Sequence, residues 1–209
     1  MNTGDPVTTI DLIRHGECDG GDIFRGSTDV ALSPAGWNTM QAAADRLTRG
    51  GGWDGIVCSP LQRCRLFAEH LAARHALPLE VAADLREMDY GEWEGQEVTK
   101  VWREDTERVR RLFTDPAGFI SPGGETMPEF QARVAAALRD ILARHRERRL
   151  LFVTHGGTIR LLLSTVLDMP LGRCSSWHVP YGCVTRLRIY HDGAADRGHL
   201  VFHNGPPPE

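Results

Sequence analysis

The sequence has 209 residues, of which 41% are hydrophobic and 25% are charged, and its formal net charge is -4. Such a chain can bury a core without disulfides, and its length predicts one domain over 1–209, with a core at about 8–203 and loose termini at 1–6 and 205–209. The weak negative charge argues against a nucleic-acid partner, and the lack of about 18 consecutive apolar residues argues against a membrane partner. Five scattered cysteines and an N-terminus unlike a signal peptide predict a cytoplasmic protein.

Strands and helices alternate in the first part of the chain. Residues 8–14 predict a short buried strand, and the Ser-Pro pair that opens 33–49 predicts the cap and first residue of a helix. Residues 55–59 predict a second strand. Ser59 and Gln62 then have the spacing of a capping box, which predicts that the next helix begins at once.

The rest of the chain continues this alternation. Its predicted elements are a short strand at 79–85, helical structure near 97–113, a helix opening at the Thr126–Glu129 capping box, a strand and turn at 149–157, a helix at 158–167, and strands at 183–190 and 199–203. Strands separated by helices are typical of βαβ units. We therefore predict an α/β fold of three layers, with a mostly parallel central sheet and helices on both faces.

The ends of three predicted strands carry side chains that suit a phosphate. Arg14 and His15 end the first strand, Arg63 lies just after the second, and His155 ends the strand that begins at 149. Sites in open α/β sheets form beyond the carboxyl ends of the strands. The sequence therefore predicts a pocket that contains two arginines and two histidines.

These residue types indicate phosphoryl transfer through a covalent intermediate. Arginine forks bind anionic oxygens, and a neutral imidazole is a nucleophile at phosphorus. Positioned cations can stabilise the transferring group as Mg²⁺ does elsewhere. Glycines at 16, 156 and 157 are expected to let the backbone turn sharply and approach a ligand. The remaining histidines lack metal-ligand spacing, so we expect neither a metal nor another cofactor.

The leaving alkoxide also needs a proton donor. The segment 85–95 offers four carboxylates: Glu87, Asp89, Glu92 and Glu94. A carboxylate beside a phosphate dianion holds a proton more readily because of the like charge. The residues alone leave the choice among the four open.

Four short motifs, in this order, resemble the histidine phosphatase superfamily and its phosphoglycerate-mutase-like fold. They are LIRHGE, SPLQR, LREMDYGEWEG and VTHGG, and the likeness runs from about residue 8 to 190. Each motif alone is unspecific, whereas the ordered set is highly specific. The resemblance implies metal-free chemistry on a small phosphorylated substrate.

The resemblance also assigns roles to residues. It implies that His15 is the phosphorylated nucleophile and that Arg14, Arg63 and His155 bind the phosphoryl group along with it. Among the four carboxylates, it implies that Glu87 is the catalytic acid. His15, Glu87 and His155 are thus the expected catalytic residues.

The chain departs from the family pattern just after the nucleophile. Cys18 follows Glu17 where the family often has threonine, and Gly21 occupies the position of a phosphate-binding asparagine. Arg25 is a candidate replacement donor, with an exposed loop cation as the alternative interpretation. We expect Glu17 to orient the site from behind rather than to act as the acid.

Within the family, the motifs resemble the α-ribazole phosphatases of cobalamin biosynthesis. This predicts a phosphomonoesterase that acts on α-ribazole 5′-phosphate or adenosylcobalamin 5′-phosphate. The alternatives are a broad-specificity small-molecule or sugar phosphatase, a phosphoglycerate-mutase-type isomerase, and a phosphoryl-binding module without catalysis. The short separation between Glu87 and His155 favours hydrolysis over the mutase. The oligomeric state stays open, with a homodimer as one option.

Overall fold

A computed structural model describes residues 6–49, 51–191 and 196–205. The loose termini predicted at 1–6 and 205–209 fall almost entirely outside this range. The strands are β1 (Val7–Arg14), β2 (Gly55–Cys58), β3 (Leu79–Val81), β4 (Arg149–Thr154), β5 (Val184–His191) and β6 (Asp196–His203). The helices are α1 (Pro34–Thr48), α2 (Gln62–His75), α3 (Val98–Glu104), α4 (Thr106–Thr114), α5 (Met127–Arg144) and α6 (Gly156–Val166).

The strands form one sheet in the order β3-β2-β4-β1-β5-β6. The pairs β1–β4, β2–β3 and β2–β4 are parallel, whereas β5 and β6 add antiparallel pairs at one side. The order and direction of these strands confirm the predicted α/β class with a mostly parallel sheet. Arg14 is paired with Thr154, and Cys58 with Val153, so the carboxyl ends of β1, β2 and β4 meet at one edge.

Alternate residues of the central strands bury their side chains on opposite faces of the sheet. In β1, Leu12 packs in the core beneath α5 and α6, whereas Ile13 packs in the core beneath α1 and α2. This is the two-residue period that a buried strand requires. Three layers follow, as predicted from the sequence.

Helix starts were predicted well at two sites and wrongly at a third. Ser33 caps α1, and the Thr126–Glu129 capping box opens α5, as their sequence patterns predict. Ser59 does not cap α2. This helix begins at Gln62, and its N-cap residue, Leu61, makes no side-chain capping hydrogen bond. Asp29 accepts a hydrogen bond from the backbone N–H of Gln62 at 2.8 Å instead.

Three other predicted boundaries differ from the structure. The helical piece near 97–113 is two helices that break at Asp105, and the strand predicted at 79–85 ends at Val81 before a 3₁₀ turn. The last strand begins at Asp196 rather than at 199. None of the helices in the described chain is both long and apolar enough to cross a membrane.

Candidate active site

Tertiary structure brings the two predicted histidines together at the shared edge of β1 and β4. Their ring centroids are 5.2 Å apart, with one ring edge facing the other. His15 is 4% exposed and His155 is fully buried. Arg63, also fully buried, lies beside His155 and comes from the first turn of α2.

The imidazole of His15 is held in one orientation. Its Nδ1 lies 2.8 Å from the carbonyl oxygen of Gly16, so Nδ1 carries the proton and donates it. Nε2 has no hydrogen-bond partner in the described chain and keeps its lone pair. Burial, followed by the charges of Arg63 and Arg14, lowers the pKa of His15 well below its usual range. The ring is therefore neutral and nucleophilic at Nε2 near neutral pH.

His155 lies between Arg63 and Ser59. Nε of Arg63 donates to Nδ1 of His155 at 3.3 Å, which fixes the proton of His155 on Nε2. That proton is donated to Oγ of Ser59 at 2.7 Å. Burial and the charge of Arg63 lower the pKa of His155 well below its usual range. Ser59, which the sequence presents as a helix cap, is thus a member of the site.

Arg63 uses most of its donors on the protein. Nη1 donates to the carbonyl of Thr28 at 2.9 Å, and Nη2 donates to the carbonyls of Arg25 and Gly26 at 3.1 and 2.8 Å. One N–H remains for a substrate, because a guanidinium has five. Arg63 therefore holds the 25–28 loop against the site and supplies positive charge there.

Glu94 holds the same loop from the other side. Its carboxylate accepts hydrogen bonds from the backbone N–H groups of Gly26, Ser27 and Thr28 at 3.2, 2.8 and 2.9 Å. Tyr90 N–H donates to it as well. These contacts give Glu94 a structural role, so it is no longer a candidate for the catalytic acid.

Glu87 is 8% exposed and lies at the N-terminus of α6. Its carboxylate accepts hydrogen bonds from Gly157 N–H at 2.9 Å and from Met88 N–H at 3.1 Å. Glu92 is exposed, and Asp89 binds Gly91 N–H. Geometry thus favours the same carboxylate that the family resemblance indicates.

Arg133 and Glu125 position the segment that carries Glu87. Arg133 donates to the carbonyls of Asp84, Arg86 and Glu87 at 2.7 to 2.9 Å. Its guanidinium also pairs with both carboxylate oxygens of Glu125, at 2.6 and 2.8 Å. Arg133 thus satisfies the carbonyls of Asp84 and Glu87, and it shares the carbonyl of Arg86 with Oγ1 of Thr158. Sequence reasoning missed this contact.

The site glycines are explained by protein contacts rather than by sharp turns. None of the glycines at 16, 156 and 157 has a positive φ. A Cβ on Gly16 would lie 2.2 Å from the carbonyl oxygen of Gly36, and one on Gly157 would lie 2.3 Å from Oε1 of Glu87. The expectation of sharp turns at these glycines is therefore corrected, whereas their role in ligand approach stays a prediction.

The side chain of Glu17 does not support the site from behind. It is exposed, and it is the backbone carbonyl of Glu17 that accepts a hydrogen bond from Ser33 N–H at 3.0 Å. The expectation of an orienting carboxylate is wrong, since the backbone makes the connection.

Arg14 points toward a cavity beside the histidines. Its Nη1 donates to the carbonyl of Val179 at 2.7 Å, and its guanidinium lies 4.2 Å from the ring centroid of Tyr181. Burial lowers the pKa of Arg14. Because the pKa of an arginine is very high to begin with, the guanidinium stays charged. Tyr181 is 41% exposed and was not singled out from the sequence.

Arg25 and Cys18 occupy the region where the sequence departs from the family. Nη2 of Arg25 donates to the carbonyls of Asp19 and Gly21 at 3.0 and 2.7 Å. Its charge contributes to the low pKa of His15, after burial, Arg63 and Arg14. The sulfur of Cys18 lies 3.6 Å from Nδ1 of His15, and burial raises the pKa of its thiol. That Arg25 replaces the family asparagine stays a prediction.

A cavity of about 320 Å³ opens next to Arg14 and Gly157. Its walls are mainly aromatic and aliphatic, and they include Phe24, Met88, Tyr90, Trp102, Phe113 and Phe130. Trp102 and Phe113 come from α3 and α4, and their ring centroids are 6.3 Å apart. A groove of about 490 Å³ between α5, α6 and β6 is larger but contains none of the predicted site residues.

Comparison with known proteins identifies the family of this chain. A model of the histidine phosphatase superfamily, branch 1, matches residues 10–198. The chain belongs to that superfamily. This membership confirms the resemblance drawn from the four motifs.

Several relatives within the superfamily are phosphatases. An adenosylcobalamin/α-ribazole phosphatase of Escherichia coli is 27% identical over 180 residues, covering 85% of this chain and 88% of that protein. A bifunctional protein of Mycobacterium tuberculosis is 33% identical over 190 residues, covering 90% of this chain and 52% of that protein. The chain thus spans about half the length of the first curated relatives that it matches.

Solved structures confirm the predicted fold. The α-ribazole phosphatase of Shigella flexneri has a TM-score of 0.81 at 25% identity, covering 96% of this chain and 98% of that one. A mycobacterial glucosyl-3-phosphoglycerate phosphatase has a TM-score of 0.84 at 25% identity, covering 95% and 99%. Phosphatases with different substrates therefore share this fold.

Proposed function

We propose that this chain hydrolyses phosphomonoesters through a phosphohistidine formed on Nε2 of His15. The observation that carries the proposal is the buried imidazole of His15, which Gly16 orients through Nδ1 and which leaves Nε2 free, in a site whose cations Arg63 and Arg14 help to keep the ring neutral. In the first step, the Nε2 lone pair forms a bond to phosphorus and the bond from phosphorus to the leaving oxygen breaks. The proton of Glu87 passes to that oxygen, and the alcohol leaves.

The second step regenerates the imidazole. Glu87, now a carboxylate, takes a proton from a water molecule as the water attacks phosphorus. The bond from phosphorus to Nε2 breaks, and inorganic phosphate leaves. Arg14 and the remaining N–H of Arg63 stabilise charge on the transferring group in both steps, and His155 joins them when its Nε2–H turns from Ser59 to a phosphoryl oxygen. Losing one such donor typically costs on the order of 100–1000-fold in rate.

We propose that the substrate is α-ribazole 5′-phosphate or adenosylcobalamin 5′-phosphate. The aromatic and aliphatic walls of the cavity beside Arg14 suit a flat, weakly polar base better than a sugar with many hydroxyl groups. The relatives named for these substrates support the same choice.

A substrate panel tests this proposal. It contains the two cobalamin-pathway esters, glucosyl-3-phosphoglycerate, 3-phosphoglycerate and para-nitrophenyl phosphate, with release of inorganic phosphate as the readout. The highest kcat/KM is expected for one of the cobalamin-pathway esters. A preference for glucosyl-3-phosphoglycerate would reject the substrate assignment. Isomerisation of 3-phosphoglycerate that depends on a bisphosphoglycerate primer would favour the mutase.

A further inference from the structure

The cavity contains a second arginine that the mechanism does not use. Arg160 lies in the second turn of α6 and lines the cavity with Arg14. Its Nε donates to the carbonyl of Trp177 at 3.0 Å. Over the ranges that the structure describes, its two terminal nitrogens bind no protein acceptor, and no carboxylate forms an ion pair with it.

Arg14 and Arg160 line the same cavity, and after burial the charge of Arg160 contributes to lowering the pKa of Arg14. Nε of Arg14 would lie 3.1 Å from a Cβ on Gly156, the first residue of the helix. Arg160 follows Gly156 by four residues, which places it on the same helix face about 6 Å further along the axis. Both arginines are anchored to neighbouring carbonyls, those of Val179 and Trp177.

Within the described residues neither guanidinium forms an ion pair, although the charges of Tyr181 and Glu87 partly offset the lowering of the pKa of Arg14 by burial. The nearby cavity walls are mainly apolar, and a charge in such surroundings is costly unless it is paired. The carboxylate of Glu87 is already bound to the N–H groups of Gly157 and Met88. One phosphoryl group at Arg14 satisfies only the first of the two guanidinium groups.

We propose that Arg160 binds a second anionic group on the substrate, a carboxylate or a phosphate ester, about one helical turn from the transferring phosphoryl group. This inference rests on the proposed phosphatase function and narrows its substrate class. It favours a leaving group that carries its own negative charge. Adenosylcobalamin 5′-phosphate, with a phosphodiester on the same ribose, fits better than free α-ribazole 5′-phosphate.

Two matched pairs of esters test the inference. Adenosine 3′,5′-bisphosphate differs from adenosine 5′-phosphate by a phosphate, and 3-phosphoglycerate differs from glycerol 3-phosphate by a carboxylate in place of a hydroxymethyl group. In at least one pair, the wild type is expected to prefer the ester that carries the additional anionic group by about tenfold or more in kcat/KM. A charge-assisted hydrogen bond contributes this much. The pair in which this preference is seen tells whether the second anionic group is a phosphate or a carboxylate.

Arg160→Gln should reduce that preference to about one, mainly by raising KM, and Arg160→Lys should restore part of it. Activity on para-nitrophenyl phosphate should stay within about threefold of wild type, because this ester has no second anion. Arg139→Gln, an exposed arginine in the groove on α5, is the matched control and should leave every ratio unchanged.

Two results would overturn the inference. Equal losses on both members of each pair would assign Arg160 a structural role through Trp177, and a wild type without any preference would show that the second anion is not bound. If the wild type hydrolyses none of these esters, the phosphatase proposal fails by itself. Calorimetric titration of wild type and Arg160→Gln with adenosine 3′,5′-bisphosphate then tests Arg160 separately, and equal affinities would reject it.

Discussion

The two ends of the cleft are built differently. The phosphoryl end, formed by His15, Ser59, Arg63, Glu87 and His155, consists of buried side chains tied to strand ends and to loop backbone by hydrogen bonds. The leaving-group end, formed by Phe24, Tyr90, Trp102, Phe113 and Arg160, consists of apolar walls and one guanidinium that forms no ion pair within the described residues.

Exposure separates the two ends as well. Trp102 and Phe113 are 42% and 54% exposed, on short helices outside the central sheet, whereas Arg63 is fully buried. Substitutions at the phosphoryl end should therefore remove both rate and stability. Substitutions at the leaving-group end should change which ester is bound, with little effect on the fold.

The largest effect is expected for Arg63→Met. The variant loses the charge beside both histidines and leaves the carbonyls of Arg25, Gly26 and Thr28 without their donor. Each unsatisfied buried group costs about 1–3 kcal/mol, and the rate should fall by about 100-fold or more. The measurements are kcat on para-nitrophenyl phosphate and the free energy of unfolding in urea. Arg65→Met, an exposed neighbour on α2, should change neither; unchanged stability in Arg63→Met would contradict the account.

Glu87→Gln should separate proton transfer from phosphoryl binding. We expect a loss of about 100-fold on alkyl phosphates, which need a proton at the leaving oxygen, and a much smaller loss on para-nitrophenyl phosphate. Steady-state kinetics on both esters measures the difference. Glu92→Gln, an exposed carboxylate on the same segment, is the control. Equal losses on the two esters would remove Glu87 from the acid role.

Trp102→Ala combined with Phe113→Ala tests the leaving-group end. The double variant should raise KM for an ester with an aromatic base by about tenfold, because stacking on aromatic side chains contributes about 1–3 kcal/mol per base. Both kcat and the melting temperature should change little. Leu66→Ala, an exposed apolar residue on α2, provides the comparison. If KM does not change, the aromatic walls do not contact the leaving group.

The smallest effect should be the response of the phosphoryl end to mild acid. The folded-state pKa of His15 is lowered, so the imidazole stays neutral and nucleophilic as pH falls through the usual histidine value of about 6.5. The protonation of His15 should therefore cause almost no change in kcat/KM between about pH 7.5 and 6. A fall with an apparent pKa of about 6.5 in kcat/KM for para-nitrophenyl phosphate would contradict this.

The same lowered pKa values link folding to pH. Neutral, buried His15 and His155 contribute stability that is present above the unfolded-state pKa of about 6.5 and is lost as pH falls below it. Thermal unfolding of wild type and a His15→Phe variant should show a weaker loss toward acid for the variant. Parallel curves would mean that His15 is not buried as a neutral group.

Local sequence patterns predicted the strand ends and the helix caps at Ser33 and Thr126 correctly. Both kinds of pattern depend on residues that are close together in the sequence. Ser59 shows where this fails. The same Ser-Pro pattern precedes α2, but the hydroxyl is used by His155, which lies far along the chain. No local signal reports a tertiary hydrogen bond of that kind.

The leaving-group end was harder to predict for a related reason. The apolar residues of α3 and α4 have the spacing of an ordinary amphipathic helix, which does not reveal that their apolar face lines an open cavity. Arg160 likewise joins the cavity, and Tyr181 contacts Arg14, only through the folding of α6 and the 177–182 loop.

The central claim, a covalent intermediate on Nε2 of His15, is tested most directly by trapping it. Rapid alkaline quenching during turnover of a phosphomonoester, followed by proteolysis, mass spectrometry and phosphorus NMR, locates the phosphoryl group. We predict phosphohistidine at His15, attached at Nε2 because Nδ1 is bound to the Gly16 carbonyl, and none in a His15→Ala variant that has lost activity. Phosphate on Nδ1, on His155 or on no residue, or turnover that survives in His15→Ala, would contradict the account.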